Sequence, residues 1–156
     1  MSRSSVDRVR DALLAAGQED TIRTFPDGTR SAEDAARSVR CTVAQIVKSL
    51  VFRMGDQPVL VLVSGANRVD LDKASAAAGS ALESADAAWV RKATGFAIGG
   101  VAPIGHDRPI QVLIDEDLLA LSPLWAAAGS PNHVFSTSAT ALLEMTRGRV
   151  SQIKAD

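Results

Sequence analysis

A lysine interrupts an otherwise apolar run at residues 46–52, Ile-Val-Lys-Ser-Leu-Val-Phe. Side chains alternate between the two faces of a strand, so Lys48 shares its face with the isoleucine, the leucine and the phenylalanine of the run. An ammonium group among apolar side chains costs free energy unless it is paired or faces a polar cavity. We therefore predict that Lys48 points inward, towards the core, into a water-accessible hollow. The alternative is a lysine whose stem packs while its ammonium group reaches solvent.

An inward-facing Lys48 could do several kinds of chemistry. It could offer its charge to a phosphate, a carboxylate or an ester carbonyl. If it were desolvated, its pKa would fall and it could act as a base or a nucleophile. The residues alone leave these roles open.

Residues 99–105, Gly-Gly-Val-Ala-Pro-Ile-Gly, contain three glycines and a proline. Such a segment adopts unusual backbone dihedrals and lets a ligand approach the main chain closely. Its N–H groups could hold an anion and its carbonyls an ammonium group. The glycine spacing fits neither a dinucleotide-binding fingerprint nor a P-loop. The alternative is a tight turn or bulge between strands.

A third candidate is the turn at residues 129–133, Gly-Ser-Pro-Asn-His. His133 lies where this turn meets a strand-like run, and a histidine there could orient a water molecule or a substrate group. His106, directly after the glycine-rich segment, has the same potential. The alternative for each is an ordinary surface histidine.

Other chemistries have little support in the sequence. Two histidines and one cysteine without ligand-like spacing predict no metal site, and no cofactor is expected. There is no Gly-x-Ser-x-Gly segment to carry a serine nucleophile. Cys41 follows a helix and precedes Thr42 at the start of another; we interpret it as a small buried thiol.

Composition bounds the class of protein. With 156 residues, 46% of them hydrophobic and 22% charged, the chain predicts a single domain over residues 1–156. No apolar run is long enough to cross a membrane, and a lone cysteine is typical of a reducing compartment, so we expect a cytoplasmic protein. A net charge of −1 argues against a protein that wraps a nucleic acid such as DNA. It allows contact with one end of an RNA.

The elements that must position these residues follow from periodicity, capping signals and turn residues. Helices are predicted over 6–14, 32–39, 71–78, 85–94 and 138–145, helical turns at 42–45 and 115–117, and strands over 21–25, 46–52, 58–63, 96–98, 110–114, 124–127, 133–136 and 150–153. The second long strand is expected to lie antiparallel to the first. Because helices do not separate the strands regularly, the fold class is mixed α/β and not a doubly wound parallel sheet.

Four segments in this order resemble the editing-domain family of bacterial prolyl-tRNA synthetase, which includes free-standing YbaK/EbsC-type deacylases. They are QIVKSLVF at 45–52, VSGANRVDLDK at 63–73, ATGFAIGGVAPIG at 93–105 and AGSPNHVF at 128–135. The resemblance extends from the first helix to Ile153. The chain contains no synthetase catalytic or anticodon-binding region, so it resembles a trans-acting, single-domain member.

This resemblance implies a barrel-like mixed β-sheet flanked by helices. It implies hydrolysis of the ester of mischarged aminoacyl-tRNA, such as tRNA(Pro) carrying alanine or cysteine, without a metal. The implied partners are the aminoacyl-tRNA acceptor end and, beyond it, prolyl-tRNA synthetase or an elongation factor. The residues implied in catalysis are Lys48, Gly99 and His133. The residues implied in substrate binding are Ser49, Gly100, Val101, Ala102, Pro103, Gly129 and Ser130.

Some questions stay open at this point. Asparagine or threonine is common after the lysine in relatives, whereas this chain has Ser49. The specificity of those relatives for alanine or cysteine therefore cannot be carried over to this chain. The tRNA that is read and the oligomeric state are also open. The competing interpretations are a non-catalytic module of the same fold that binds an amino acid, a nucleotide or a synthetase, and a hydrolase of another small ester or thioester.

Overall fold

The computed structural model describes residues 4–29 and 31–156. The helices of this part of the chain are α1 (Ser5–Ala15), α2 (Ala32–Val39), α3 (Leu71–Ala78), α4 (Ala87–Thr94) and α5 (Ala139–Thr146), with 3-10 helices at Val43–Gln45 and Glu116–Ala120. The strands are β1 (Arg23–Thr24), β2 (Ile46–Met54), β3 (Gln57–Ser64), β4 (Glu83–Ser84), β5 (Gln111–Asp115), β6 (Leu124–Ser130), β7 (His133–Thr137) and β8 (Arg149–Ser151).

All these strands belong to one mixed sheet in the order β1-β7-β6-β2-β3-β5-β8, with β4 paired to β2. The β2–β3 pair is antiparallel, as predicted, whereas β2–β6, β3–β5 and β5–β8 are parallel. The predicted class, a mixed sheet flanked by helices, is confirmed.

The second edge of β2 is only partly paired. β3 runs along one edge of β2 from Val47 to Met54. On the other edge, β6 pairs with residues 46–47 and β4 pairs with residues 52–53. Among the described residues, no strand pairs with residues 48–51 on that edge. The sheet therefore has a gap beside Lys48, closed at both ends by neighbouring strands.

Helix ends follow the local sequence signals. The side chains of Ser4, Ser31, Asp70, Asp86 and Ser138 accept a hydrogen bond from a first-turn amide of the helix that each precedes. Such N-caps satisfy amides that have no partner within the helix. These caps fix where α1 to α5 begin, close to the predicted positions.

The main core lies on one face of the sheet and contains Leu60, Leu62, Val112, Phe135 and Leu142. The opposite face carries two smaller clusters. One lies under α3 around Val59, Val61 and Leu113, and the other lies under α2 around Ile46, Trp125 and Val134.

This arrangement corrects the prediction that the face of Lys48 is the main core face. Val47 and Val51, on the other face of β2, are the residues that contact the main core. Ile46 belongs to the α2 cluster, and Phe52 packs against the α3 cluster. Lys48 therefore lies on the face with the two smaller clusters, at a position along β2 between them.

Three predicted elements differ from the structure. Residues 96–98 are a loop because Phe96 turns into the core, under the guanidinium group of Arg8. The strand predicted over 21–25 is only two residues long, and β8 ends before Ile153, whose side chain is buried beside Val59. The sequence does not predict β4, in which Glu83 and Ser84 pair with the end of β2.

Candidate active site

A cavity of about 530 Å³ opens at the gap in the edge of β2. Lys48 and Ser49 line it from β2, and Gly99 and Val101 line it from the glycine-rich loop. Most of the remaining wall is apolar, with Trp125, Ala126, Ala127 and Val134 from β6 and β7, Ala35 and Val39 from α2, and Val90 from α4. The structure thus places the lysine of the 46–52 run and part of the glycine-rich loop on one hollow.

Lys48 is half-buried in this cavity. Its Nζ donates a hydrogen bond to the main-chain carbonyl of Asn67 at 2.5 Å. Burial lowers the pKa of Lys48 below its ordinary value, and the nearby Arg68 acts in the same direction, while Glu33 and Asp115 oppose the shift. An ammonium group that keeps a single neutral acceptor has two further N–H donors for a ligand.

Asn67, the acceptor for Lys48, is itself held by two carboxylates. Its Nδ2 donates to Asp115 Oδ2 and to Asp117 Oδ2, both at 2.8 Å. Asp115 is fully buried and also accepts the main-chain N–H of Ser64 at 3.0 Å. Lys154 donates to Asp117 at 2.8 Å and, together with Asn67, lowers the pKa of that carboxyl.

Sequence reasoning missed this network. Asn67 lies within the 63–73 segment and Asp115 was interpreted only as the start of a helical turn. The available signal was a carboxylate at the end of the buried β5 strand, since a buried charge needs dedicated partners. Its partners come from distant parts of the chain, which spacing along the sequence does not reveal.

The glycine-rich loop is fixed against the turn at 129–133. A Cβ atom on Gly100 would lie 2.8 Å from the Cα of Ser130, so only glycine fits at this contact. Gly99, beside it, has a φ of +88° and open space around its Cα. The structure therefore brings two of the predicted segments into direct contact, with Gly99 and Val101 on the cavity side.

The end of the same loop faces away from this cavity. Ala102 is fully buried, and its carbonyl accepts a hydrogen bond from Nε2 of His106 at 2.7 Å. Burial lowers the pKa of His106, which favours the neutral ring that packs edge-on against Phe96. Pro103 lines a second cavity. His106 thus supports the loop from the core side.

In the turn at 129–133, the Ser130 hydroxyl accepts the N–H of Asn132 at 3.0 Å and lies 2.5 Å from Nδ1 of His133. Ser130 and His133 thus form a hydrogen-bonded pair within the turn. Gly129 packs on the backbone of Ser5. Of the described residues around this turn, Ala127 and Val134 line the cavity, whereas Gly129, Ser130 and His133 are not part of its lining.

Ser49 contributes a polar atom without a partner. Its Oγ is buried and has no hydrogen-bond partner among the described residues, although the residue lines the cavity. A buried hydroxyl without a partner costs free energy, and a ligand that supplies a donor or acceptor would recover it. Ser49 is thus a candidate contact for a polar group of the substrate.

The described side chains offer little support for metal ligation or for thiol chemistry. In residues 4–29 and 31–156, no group of three or more His, Cys, Asp or Glu side chains is arranged to hold a metal ion. Cys41 is half-buried beside α2, and burial raises the pKa of its thiol.

With this geometry established, residues 26–145 match the profile of the aminoacyl-tRNA editing domain. The chain belongs to this family. A crystal structure described as that of a proposed trans-editing enzyme for prolyl-tRNA synthetase shares 41% identity with the editing domain, with a TM-score of 0.91 over 100% of both chains.

Two known sequences extend the comparison. A proposed Cys-tRNA(Pro)/Cys-tRNA(Cys) deacylase, EbsC, of Enterococcus faecalis is 28% identical over 79% of this chain and 76% of its own. The proline–tRNA ligase of Lactobacillus helveticus is 28% identical over 71% of this chain, which corresponds to 20% of the ligase. The resemblance to YbaK/EbsC-type editing proteins is confirmed. No helix in the described part of the editing domain is long and apolar enough to cross a membrane.

Proposed function

We propose that this editing domain hydrolyses the ester that joins a wrong amino acid to the 3′ end of a tRNA. It acts in trans, on tRNA(Pro) that carries a small residue such as alanine or cysteine. The observation that carries the proposal is that the Lys48 ammonium group and the glycine-rich loop line one largely apolar cavity. Family membership and the deacylase and trans-editing names of relatives support the same reaction.

The size and lining of the cavity suit this substrate. A volume of about 530 Å³ falls within the range of pockets that hold small ligands. Val47, Ala126 and Val134 offer an apolar surface to a small side chain. Shape excludes proline, the correct residue. Among similar side chains, one methylene discriminates by only ~1–3 kcal/mol, so the pocket accepts a class of small residues.

In the proposed reaction, water adds to the ester carbonyl, the bond to the ribose oxygen breaks, and that oxygen leaves with a proton. The products are the free amino acid and a tRNA with an intact 3′ ribose. The ester is already activated, so a positioned water and stabilisation of the developing oxyanion are sufficient. The two free N–H donors of Lys48 contact the carbonyl oxygen or the phosphate of the terminal adenosine.

Main-chain groups of the glycine-rich loop hold the ester and the α-ammonium group. Ala102 already gives its carbonyl to His106, so we assign this task to Gly99 and Val101. The water is oriented by His133 or by the ribose hydroxyl of the substrate. Because His133 does not line the cavity, we favour the hydroxyl, which enters the cavity with the substrate.

The decisive experiment compares Lys48→Ala with the wild type on mischarged tRNA(Pro), tRNA(Ala) and tRNA(Cys). The variant should deacylate about 100-fold more slowly, as expected for removal of one oxyanion donor. Lys92→Ala, an exposed lysine on α4, is the control and should keep the wild-type rate. A Lys48→Ala protein as fast as the wild type would refute the role of the lysine.

The same panel of mischarged tRNAs distinguishes a hydrolase from a non-catalytic binding module. A wild-type protein that turns over none of these substrates but binds an amino acid or a nucleotide tightly is a binding module. With a net charge of −1, contact with the tRNA is local to the acceptor end. Prolyl-tRNA synthetase or an elongation factor would present the remainder of the tRNA.

A further inference from the structure

A second cavity, of about 650 Å³, lies on the other side of the glycine-rich loop. Residues 103–105 of that loop line it, whereas Gly99 and Val101 line the first cavity. Three arginines, Arg108, Arg147 and Arg149, also line the second cavity, and we call it the arginine groove. One loop therefore borders both the candidate active site and a surface rich in guanidinium groups.

The positive charge of the arginine groove is not neutralised locally. All three arginines are exposed, and within the described part of the chain none of them forms an ion pair or a hydrogen bond through its side chain. Asp107 is the only acidic residue among the described residues of the lining, and its carboxylate pairs with Arg8 at 3.2 Å. Burial lowers the pKa of the neighbouring His106, which disfavours a further positive charge beside the groove. A chain with a net charge of −1 thus collects three unpaired cations in one groove.

Three different segments position these arginines. Arg108 precedes β5, Arg147 ends α5, and Arg149 lies on β8 opposite Leu113 of β5. Three separate elements thus contribute one arginine each to the lining of one groove. A guanidinium group binds phosphate through two parallel N–H donors, and a series of such groups around a groove suits a ligand with several phosphates.

We infer that the arginine groove binds phosphates of the tRNA backbone next to the acceptor end, an inference that rests on the proposed function. A tRNA whose 3′ end occupies the first cavity passes the loop that both cavities share. Free phosphate or a nucleotide offers the same chemistry from a different source. The shared loop favours a polymer that spans both sites.

The test compares two double variants that each remove two positive charges. R108Q/R149Q alters the groove, and R91Q/K92Q alters exposed residues of α4. Binding of uncharged tRNA is measured by fluorescence anisotropy across a salt series. For R108Q/R149Q we expect Kd to rise roughly tenfold at physiological salt, and the slope of log K against log salt to fall by about 2. R91Q/K92Q should stay within about twofold of the wild type.

A third variant and a small substrate separate the groove from folding and from catalysis. R108K/R149K retains the charges, so it should recover most of the salt slope. An aminoacyl-adenosine ester, which lacks the tRNA backbone, should be hydrolysed by R108Q/R149Q at the wild-type rate. Unchanged tRNA affinity and salt slope in R108Q/R149Q would overturn the inference. A different result would overturn it in favour of a small anion: inorganic phosphate raises the Tm of the wild type but not that of R108Q/R149Q, while the tRNA affinity of the two proteins is the same.

Failure of the proposed function has a different signature. Uncharged tRNA carries no ester, so its binding tests the groove without catalysis. A wild-type protein that binds tRNA through the groove but deacylates nothing refutes the hydrolase and retains the groove. A protein that deacylates with no effect of R108Q/R149Q on tRNA binding refutes the groove alone.

Discussion

The side chain of Lys48 is held by one neutral acceptor, the carbonyl of Asn67, and not by a carboxylate. A directly bound carboxylate would neutralise the ammonium group and compete with the substrate for its donors. The charges of Asp115 and Asp117 instead act through Asn67, which both carboxylates bind. The structure therefore orients the lysine while leaving its charge available to a ligand.

Asp115 is accordingly expected to be a positioning residue. In Asp115→Asn, one carboxylate oxygen becomes an amide group, so Ser64, Asn67 and Asp117 can no longer all donate to this side chain. We expect kcat for deacylation to fall about 10- to 100-fold, with a smaller change in KM, because the hydrogen bonds that fix Asn67, the acceptor for Lys48, are weakened. Steady-state kinetics on mischarged tRNA(Pro) measure this split.

The pH profile of the reaction distinguishes an effect of Asp115 on Lys48 from a purely structural role of Asp115. The charge of Asp115 raises the pKa of Lys48, so Asp115→Asn should move the alkaline limb of kcat/KM to lower pH. Asp117→Asn, which removes the charge of the half-buried second partner of Asn67, is the matched control and should have the weaker effect on kcat. An alkaline limb that does not move would show that Asp115 acts only on folding.

At the scale of elements, the contact between the glycine-rich loop and the end of β6 depends on one absent Cβ atom. Gly100→Ala would place a methyl group 2.8 Å from the Cα of Ser130, and backbone cannot yield as a flexible side chain does. We expect a loss of about 1–3 kcal/mol in the free energy of unfolding and a displaced loop with low deacylase activity. Thermal unfolding and kcat/KM check the two effects.

Gly79→Ala provides the comparison for this prediction. Gly79 ends α3 with a φ of +95°, and a Cβ atom added there would have no neighbour within 4 Å, so alanine adds backbone strain without a clash. It should lower stability while kcat/KM stays near the wild-type value. Equal losses of activity in both variants would mean that stability, and not the position of the loop, limits the reaction.

How far the sequence predicts an element depends on where its pairing partners lie. β2 and β3 follow from their own apolar residues and the Gly55-Asp56 turn, and the helices follow from local capping signals. β4 could not be predicted, because Glu83 and Ser84 pair only where the distant end of β2 is free. Phe96 has strand-like neighbours, but its contacts with Arg8 and His106 turn it inward.

The same distinction applies to the site. Lys48 and Gly99 could be identified because each breaks a local pattern, and the structure places both on one cavity. The network of Asn67 and Asp115 spans 48 residues along the chain, so only the folded sheet brings it together. The catalytic role of His133 remains a prediction, since its Nδ1 lies beside Ser130 and the residue does not line the cavity.

At the scale of the whole molecule, Lys48 also links stability to pH. Its pKa is lowered in the folded state, so between that lowered value and about 10.5 the unfolded chain binds more protons than the folded one. Stability of the wild type therefore gains from a rise in pH through this window, a gain that Lys48→Met lacks. We expect the Tm of the wild type to improve relative to Lys48→Met as the pH approaches 10.5.

Paired thermal melts of the two proteins at several alkaline pH values measure this difference. Lys92→Met, at an exposed position, controls for the general effect of losing one positive charge. If the difference in Tm between the wild type and Lys48→Met stays constant over the window, burial does not penalise the ammonium group.

The gap in the sheet beside residues 48–51 has one more consequence. Exposed strand edges commonly recruit strands of other molecules and so promote fibre growth. Here β6 blocks one end of the gap and β4 blocks the other, so a foreign strand cannot run along the edge. The protein can keep main-chain groups open for a short guest without becoming a template for intermolecular aggregation.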